Sequence, residues 1–133
     1  MQIKSKKNLI IICFLSLFLF NLNLSAEEFD IKAKEITVDR ENEIIIGEGS
    51  VQAKDSEGKI IYADKITYKK LVEFLLAEGK VKIVDNEGNT LMSEKATYDK
   101  MNEKIVTYNN TELILKEGYK LAAKNVSYNV MKK

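Results

Sequence analysis

The side chains able to do acid–base or nucleophilic chemistry in this chain are limited to carboxylates, lysines and tyrosines. Histidine is absent and the sole cysteine is Cys13, so the commonest transition-metal ligands and nucleophile–base pairs are missing. The acids with the most distinct setting, Asp55 and Asp85, begin Asp-x-x-Gly sequences, in which a carboxylate typically caps its own tight turn. We therefore predict no catalytic residue, no metal site and no cofactor, and we predict that the protein is not an enzyme.

The first 26 residues have the composition of an export signal. Three lysines within the first seven residues precede an almost wholly apolar run, Leu9 to Leu22, and the small residues Ser25 and Ala26 follow. The run is about 14 residues, shorter than the roughly 20 that a membrane-spanning helix needs, and an uncleaved anchor is the alternative. We predict a signal peptide over residues 1–26 and a mature domain over residues 27–133 in the periplasm.

The charge balance argues against a nucleic-acid partner. The whole chain has 21 basic and 20 acidic residues, and its first 26 residues contain three lysines and no acid. The predicted mature part is therefore slightly acidic, and charges of both signs are spread evenly along it. Since nucleic-acid binding depends on a basic excess, we predict no nucleic acid among its partners.

A 30-residue repeat organises the rest of the chain. A small residue recurs at this spacing, followed by an apolar residue three positions later and by a valine or tyrosine five positions later. These positions are Ala33, Ala63, Ser93 and Ala123; Ile36, Ile66, Ala96 and Val126; and Val38, Tyr68, Tyr98 and Tyr128. The register holds without any insertion or deletion, so one structural unit is repeated.

Each repeat contains two strand-like runs with a change of direction in the second. Ile66 alternates with Tyr68 among polar residues, which is the period-2 pattern of a half-buried strand. In the second run, Phe74 and Leu76 share one parity whereas Val81 and Ile83 share the other. A parity slip requires an extra residue, and it falls at Gly79, with equivalents at Gly49 and Asn109. Because these residue types tolerate positive φ, the pattern predicts a β-bulge or bend in every repeat.

Short polar turns join these runs, which favours antiparallel neighbours. Examples are the sequences at positions 55–58, 85–88 and 39–42. Proline is absent, which agrees with uninterrupted ladders. We predict an all-β fold of roughly seven antiparallel strands, a roll or sandwich. A parallel β-solenoid that builds filaments without lipid is the structural alternative.

The repeat resembles the OstA-like domain of the lipopolysaccharide transport proteins. The pattern Ala-x-x-Ile-x-Tyr, then Gly-x-Val, then Asp-x-x-Gly is carried by Ala63, Ile66, Tyr68, Gly79, Val81, Asp85 and Gly88, with weaker copies on either side. The resemblance covers residues 29–128. It implies an open antiparallel β-jellyroll that shields lipid A acyl chains in the periplasm and bridges the inner-membrane and outer-membrane complexes.

The resemblance also implies partners and a binding face. The expected partners are lipopolysaccharide, other Lpt jellyroll domains that pair by their edge strands, and further copies of the chain stacked head to tail. The expected groove-lining residues occupy the recurrent apolar positions: Ile36, Val38, Val51, Ile66, Tyr68, Val81, Ile83, Tyr98 and Leu113. Members of three kinds stay open: the periplasmic bridge LptA, the N-terminal domain of the outer-membrane protein LptD, and LptC with its retained helix.

Overall fold

The computed structural model describes residues 29–130, and these form one antiparallel sheet of eight strands. The strands are β1 (Asp30–Lys32), β2 (Glu35–Asp39), β3 (Ile44–Lys54), β4 (Ile60–Lys69), β5 (Phe74–Val84), β6 (Thr90–Asp99), β7 (Lys104–Ile114) and β8 (Lys120–Asn129). The predicted signal peptide over residues 1–26 lies outside the described residues. No helix within 29–130 has the length and apolar character needed to cross a bilayer.

The strands follow one another in the sheet in chain order from β3 to β8, and every pairing is antiparallel. This confirms the predicted antiparallel fold and excludes parallel solenoid coils for these residues. The first repeat differs from the expected seven strands because two short strands, β1 and β2, both pair with β3. The pairing with β3 is interrupted between β1 and β2, where the Lys34 N–H donates to the Gly49 carbonyl oxygen at 3.1 Å.

The strand bounds follow the 30-residue period of the sequence. The long strands β3, β5 and β7 begin at Ile44, Phe74 and Lys104, and each has 11 residues. The strands β4, β6 and β8 begin 16 residues after them in turn, and each has 10 residues. Each long strand therefore occupies the same position relative to its neighbours in every repeat.

Each long strand bends at the predicted place. The backbone φ is positive at two consecutive residues in all three: 82° and 46° at Gly49 and Ser50, 82° and 47° at Gly79 and Lys80, and 66° and 49° at Asn109 and Asn110. The register with both neighbours shifts at these pairs, because the long strand has one residue more than the strand beside it. The predicted bulges at Gly49, Gly79 and Asn109 are confirmed.

The parity argument that led to the bend was wrong in detail. Phe74 and Leu76 are only half-buried on the outer face, whereas Leu75 and Ala77 are buried and share the parity of Val81. Two residues occupy each bend, so the parity of the long strand is the same on both sides. The odd step falls in the neighbouring strand instead, where the buried positions move from Ala63 to Ile66.

The bends fold the sheet into two facing layers around a shared core. Phe29, which precedes β1 in one layer, packs edge-on against Tyr68 in the other layer, with ring centroids 4.9 Å apart. Lys59, from a turn of the first layer, reaches Tyr98 of the second. These contacts bring the turns at the ends of one layer close to the turns at the ends of the other. We call the opening between these turns the mouth, and it lies on the side of the interior opposite the bends. The apolar residues that are fully or nearly buried between the layers are Phe29, Val51, Ala53, Ile61, Ala63, Ile66, Tyr68, Leu75, Ala77, Val81, Ile83, Leu91, Ala96, Tyr98 and Ile105.

Candidate functional site

Six of the nine predicted groove-lining residues are buried in the interior. All six are nearly inaccessible to solvent and pack into one apolar cluster: Val51, Ile66, Tyr68, Val81, Ile83 and Tyr98. Each is on a strand with neighbours on both sides. Their inward direction follows from the repeat, but as placed they contact protein, and their role in lipid binding stays a prediction.

The other three lie at the margins of the interior. Ile36 and Val38 are on the edge strand β2, and 49% and 55% of their surfaces are exposed. Ile36 stands opposite Gly47, whose missing side chain leaves it uncovered. Leu113 on β7 is half-buried and packs against the core cluster.

An apolar cavity of about 50 Å³ lies between the layers near β7 and β8. Ile83, Leu91 and Leu113 line it from one layer, and the other layer supplies Ile105, Val126 and Tyr128. The structure therefore brings together two of the nine predicted residues, Ile83 and Leu113. The five other apolar wall residues were not among the predicted ones: Leu91, Ile105, Leu115, Val126 and Tyr128. The register could have identified Val126 and Tyr128, which match the predicted Ile66 and Tyr68.

The cavity lies near β8 because an aromatic ring fills the interior toward the other end of the sheet. Beside β4 and β6 the ring of Phe29 occupies the interior, 4.9 Å from the ring of Tyr68 and 5.9 Å from that of Tyr98. Beside β8, within residues 29–130, no further strand covers the inner face. Tyr128 lines the cavity yet is 40% exposed, so the cavity opens at this edge.

Two aspartates shape the turns that border the mouth. Asp55 Oδ1 accepts the backbone N–H groups of Glu57 and Lys59 at 3.0 and 2.9 Å. Asp85 Oδ1 accepts the equivalent pair, from Glu87 and Asn89, at 2.9 Å each. The predicted turn-capping role of both aspartates is confirmed, and in each turn a glycine with positive φ follows. Neither carboxylate is arranged as a general acid or base.

A buried charge cluster lies at the mouth, which the sequence analysis did not identify. Lys59 is only 5% exposed, and its Nζ lies 3.5 Å from Asp55 Oδ2. The same Nζ donates to Tyr98 Oη at 3.3 Å and lies 4.7 Å from the centroid of that ring. Lys59 also lines the apolar cavity, together with Asp85, Asn89 and Thr90. The cavity therefore has apolar walls and a polar mouth with one buried ammonium.

The described residues include no cluster of side chains that would hold a metal ion. No group of three His, Cys, Asp or Glu side chains within 29–130 is placed to hold a metal. Hydrogen bonds from Asn42 and Asn102 lower the pKa of the Asp39 and Asp99 carboxyl groups, respectively. Asp39 and Asp99 are the half-buried last residues of β2 and β6, and neither lines the cavity. What the arrangement can do is bind an apolar chain.

Comparisons with known proteins support the fold. No family model matches the chain, and no curated protein does. Among solved structures, the chain is similar to LptH, the LptA-homologous periplasmic component of the lipopolysaccharide transport device of Pseudomonas aeruginosa. The match has a TM-score of 0.69 at 12% sequence identity and covers 77% of this chain and 76% of that one. The chain thus has an LptA-like β-jellyroll fold, an open antiparallel sheet.

Proposed function

We propose that this protein carries lipopolysaccharide through the periplasm by holding its acyl chains between the two layers of the jellyroll. It performs no chemistry and leaves the sugars and phosphates at the polar mouth. Its partners are lipopolysaccharide and the jellyroll domains of the Lpt complexes at the inner and outer membranes. The nine predicted groove-lining residues form the inner face along which the chains lie.

The observation that carries this proposal is the apolar cavity that opens beside β8. Burying an acyl chain there removes it from water, which is worth about 0.8 kcal/mol for each CH₂ group. The likeness of the fold to LptH supports the same use of the interior. A metal site would compete with this interpretation, and the described residues form no group of side chains that could hold one.

A complete lipid needs more room than the cavity of about 50 Å³ provides. That volume is several times the about 10–15 Å³ that one water molecule requires, so it accepts a short stretch of chain. Further loading requires the layers to separate. β8 borders the cavity and has one neighbour in the sheet within residues 29–130, so its displacement would break only its ladder with β7.

The same edge supports the proposed protein partners. β8 pairs only with β7 within residues 29–130, so its outer N–H and C=O groups face away from the sheet. Such an edge can add a strand of another jellyroll domain or of a second copy. Strand addition at β8 would extend the inner face, and the exposed Leu121 and Tyr128 would then be covered by the added strand.

The test is site-specific photo-crosslinking with benzoylphenylalanine in place of Tyr128 or, separately, of Tyr62. Both tyrosines are similarly exposed, at 40% and 37%, but Tyr128 lines the cavity whereas Tyr62 is on the outer face of β4. Irradiation in Gram-negative cells should attach lipopolysaccharide to position 128 and leave position 62 clean. Equal labelling at both positions, or none at 128 in a folded protein, would contradict the proposed function.

A further inference from the structure

Lys59 occupies an unusual position for a lysine. It closes the turn between β3 and β4, and the capping of that turn by Asp55 directs its side chain into the mouth. It is almost fully buried and lines the same cavity as Ile83 and Leu113. A lysine is rarely buried without strong partners, because removing an ammonium from water costs free energy that only close polar contacts offset.

The polar partners of the Lys59 ammonium are farther away than in a typical charge-assisted hydrogen bond. Its distances are 3.3 Å to Tyr98 Oη and 3.5 Å to Asp55 Oδ2, whereas a charge-assisted N–H···O hydrogen bond is typically about 2.7–2.9 Å. Asp55 is committed to its turn through Oδ1, and within the described residues its buried Oδ2 accepts no hydrogen bond. Both charges are therefore only partly compensated, at the place where an apolar cavity begins.

The other charged residues near the mouth differ from Lys59, because they either have their own close partners or do not line the apolar cavity. Asp85 lines the cavity too, but both of its carboxylate oxygens accept hydrogen bonds within its own turn, from Glu87 and Asn89. Lys100 borders a separate polar depression together with three glutamates and stands over the ring of Phe29. Among the described residues, Lys59 is the cation that lines the apolar cavity.

We infer that Lys59 binds the acidic group of an acyl-chain amphipath whose chain occupies the cavity. The inference rests on the proposed function and adds a recognition element to it. The chemistry is that of an anionic oxygen group next to an alkyl chain, which a phosphorylated glycolipid and a fatty acid both supply. The ligand's anion takes the place that Asp55 Oδ2 holds at 3.5 Å in the free protein, so Asp55 is a competing counter-ion.

This exchange predicts opposite effects for two neighbouring substitutions. Lys59→Met removes the ammonium and keeps an apolar side chain of similar length. Asp55→Asn keeps the oxygen that caps the turn and removes the charge that competes for Lys59. The first should weaken the binding of an anionic ligand and the second should strengthen it, whereas a purely structural pair would weaken binding in both variants.

The experiment is isothermal titration calorimetry of the purified protein, as its host produces it, with three probes of equal chain length: decyl phosphate, decanoate and decanol. Lys59→Met should lower the affinity for the tighter-binding anionic probe about tenfold, the effect of losing one hydrogen bond to a charged group. The affinity for decanol should not change. Asp55→Asn should raise the affinity for that anionic probe several-fold, Lys59→Arg should retain most of it, and Lys82→Met, on the exposed outer face of β5, should leave it unchanged.

The outcomes separate this inference from the proposed function. Tighter binding of decyl phosphate than of decanoate, with the two opposite mutational effects, supports Lys59 as a phosphate contact, and the reverse order supports a carboxylate contact. If decanol binds as tightly as the anions, or if Asp55→Asn weakens anion binding, the inference is overturned while the acyl-chain carrier stands. If no probe binds to the folded protein, the carrier proposal fails as well.

Discussion

The bend in each long strand creates the interior, and replacing Gly79 by alanine tests it directly. Gly79 has a φ of +82°, and a Cβ atom placed there would lie 2.5 Å from Asp64 Oδ2 and 2.9 Å from Asp64 Cβ. Gly118, in the turn between β7 and β8, provides a matched control. Its φ is +94°, but a Cβ atom there would meet no atom within 4 Å.

Both substitutions place alanine in a left-handed backbone conformation, and only Gly79→Ala also creates a steric clash. A left-handed backbone costs an L-residue about 1–2 kcal/mol, which Gly118→Ala offsets in part because alanine lowers the entropy of the unfolded chain by about 0.4–1 kcal/mol. We expect a net loss of about 1 kcal/mol at position 118. Gly79→Ala has the same backbone cost and the same gain from the unfolded chain. It must also displace Asp64, and overpacking of this kind typically destabilises a protein by about 1–3 kcal/mol. We expect a loss of about 2–4 kcal/mol at position 79.

The assay is urea unfolding of both variants and the parent protein, followed by far-ultraviolet circular dichroism. Both midpoints should fall, the midpoint of Gly79→Ala by clearly more, while the slope of the free energy of unfolding against urea stays the same in all three. The reasoning is refuted if Gly79→Ala loses no more stability than Gly118→Ala. That result would mean that β4 does not approach β5 closely at the bend.

Three further substitutions test other parts of the structure. Leu113→Trp should fill the cavity and lower lipopolysaccharide crosslinking through position 128, whereas Ile114→Trp, on the opposite face of β7, should leave crosslinking unchanged. Thr111→Val should lower the free energy of unfolding by about 1–3 kcal/mol, measured by urea unfolding, because buried polar groups that bonded to the Thr111 hydroxyl lose a partner. Asp99→Asn should make the free energy of unfolding depend less on pH in the acid range. Hydrogen bonds from Asn102 lower the pKa of Asp99 below its ordinary 3.8. The ionised carboxylate therefore stabilises the folded protein above pH 3.8, and this stabilisation is lost as the pH falls through the lowered pKa. Thermal unfolding across that pH range measures it, and an unchanged pH dependence in the variant would contradict the role of this carboxylate.

The local features of the fold were predictable because they depend on a few adjacent residues. Positive φ at Gly58 and Gly88, and the caps from Asp55 and Asp85, follow from turn chemistry within five residues. The bends at Gly49 and its equivalents followed from residue type and spacing. The 30-residue register strengthened each of these predictions, because one interpretation had to hold in three places.

The inward face of the long strands was harder to predict, for a physical reason. Phe74, Leu75, Leu76 and Ala77 are all apolar, so hydrophobicity alone does not distinguish the two faces of β5. The structure buries Leu75 and Ala77 and leaves Phe74 and Leu76 half-exposed, so the parity with the larger side chains faces outward. A clearer signal was the three-residue step from Ala63 to Ile66, which moves the buried face in β4 and recurs in the family pattern.

The charge at the mouth could not be predicted because it depends on contacts between distant residues. Lys59 and Tyr98 are 39 positions apart; Lys59 precedes β4 and Tyr98 is on β6, and these two strands do not pair. Their approach exists only once the sheet has folded into two facing layers. A sequence pattern identifies Lys59 as a turn residue and nothing more, since exposed lysines at that position are ordinary.

Changes at equivalent positions of the repeat explain how the last strand borders a cavity and still holds its place. Where the second repeat has Ala77 and Val81, the third has Thr107 and Thr111, which are buried with their hydroxyl oxygens 2.8 Å apart. The Val126 N–H donates to Thr107 Oγ1 at 3.0 Å, and Thr111 Oγ1 donates to the Lys124 carbonyl oxygen at 3.3 Å. These side-chain bonds attach β8 to β7 at the bend, in addition to the backbone ladder between the two strands. If β8 is displaced, we therefore expect it to stay hinged at the bend, and such a movement would serve the proposed entry of acyl chains.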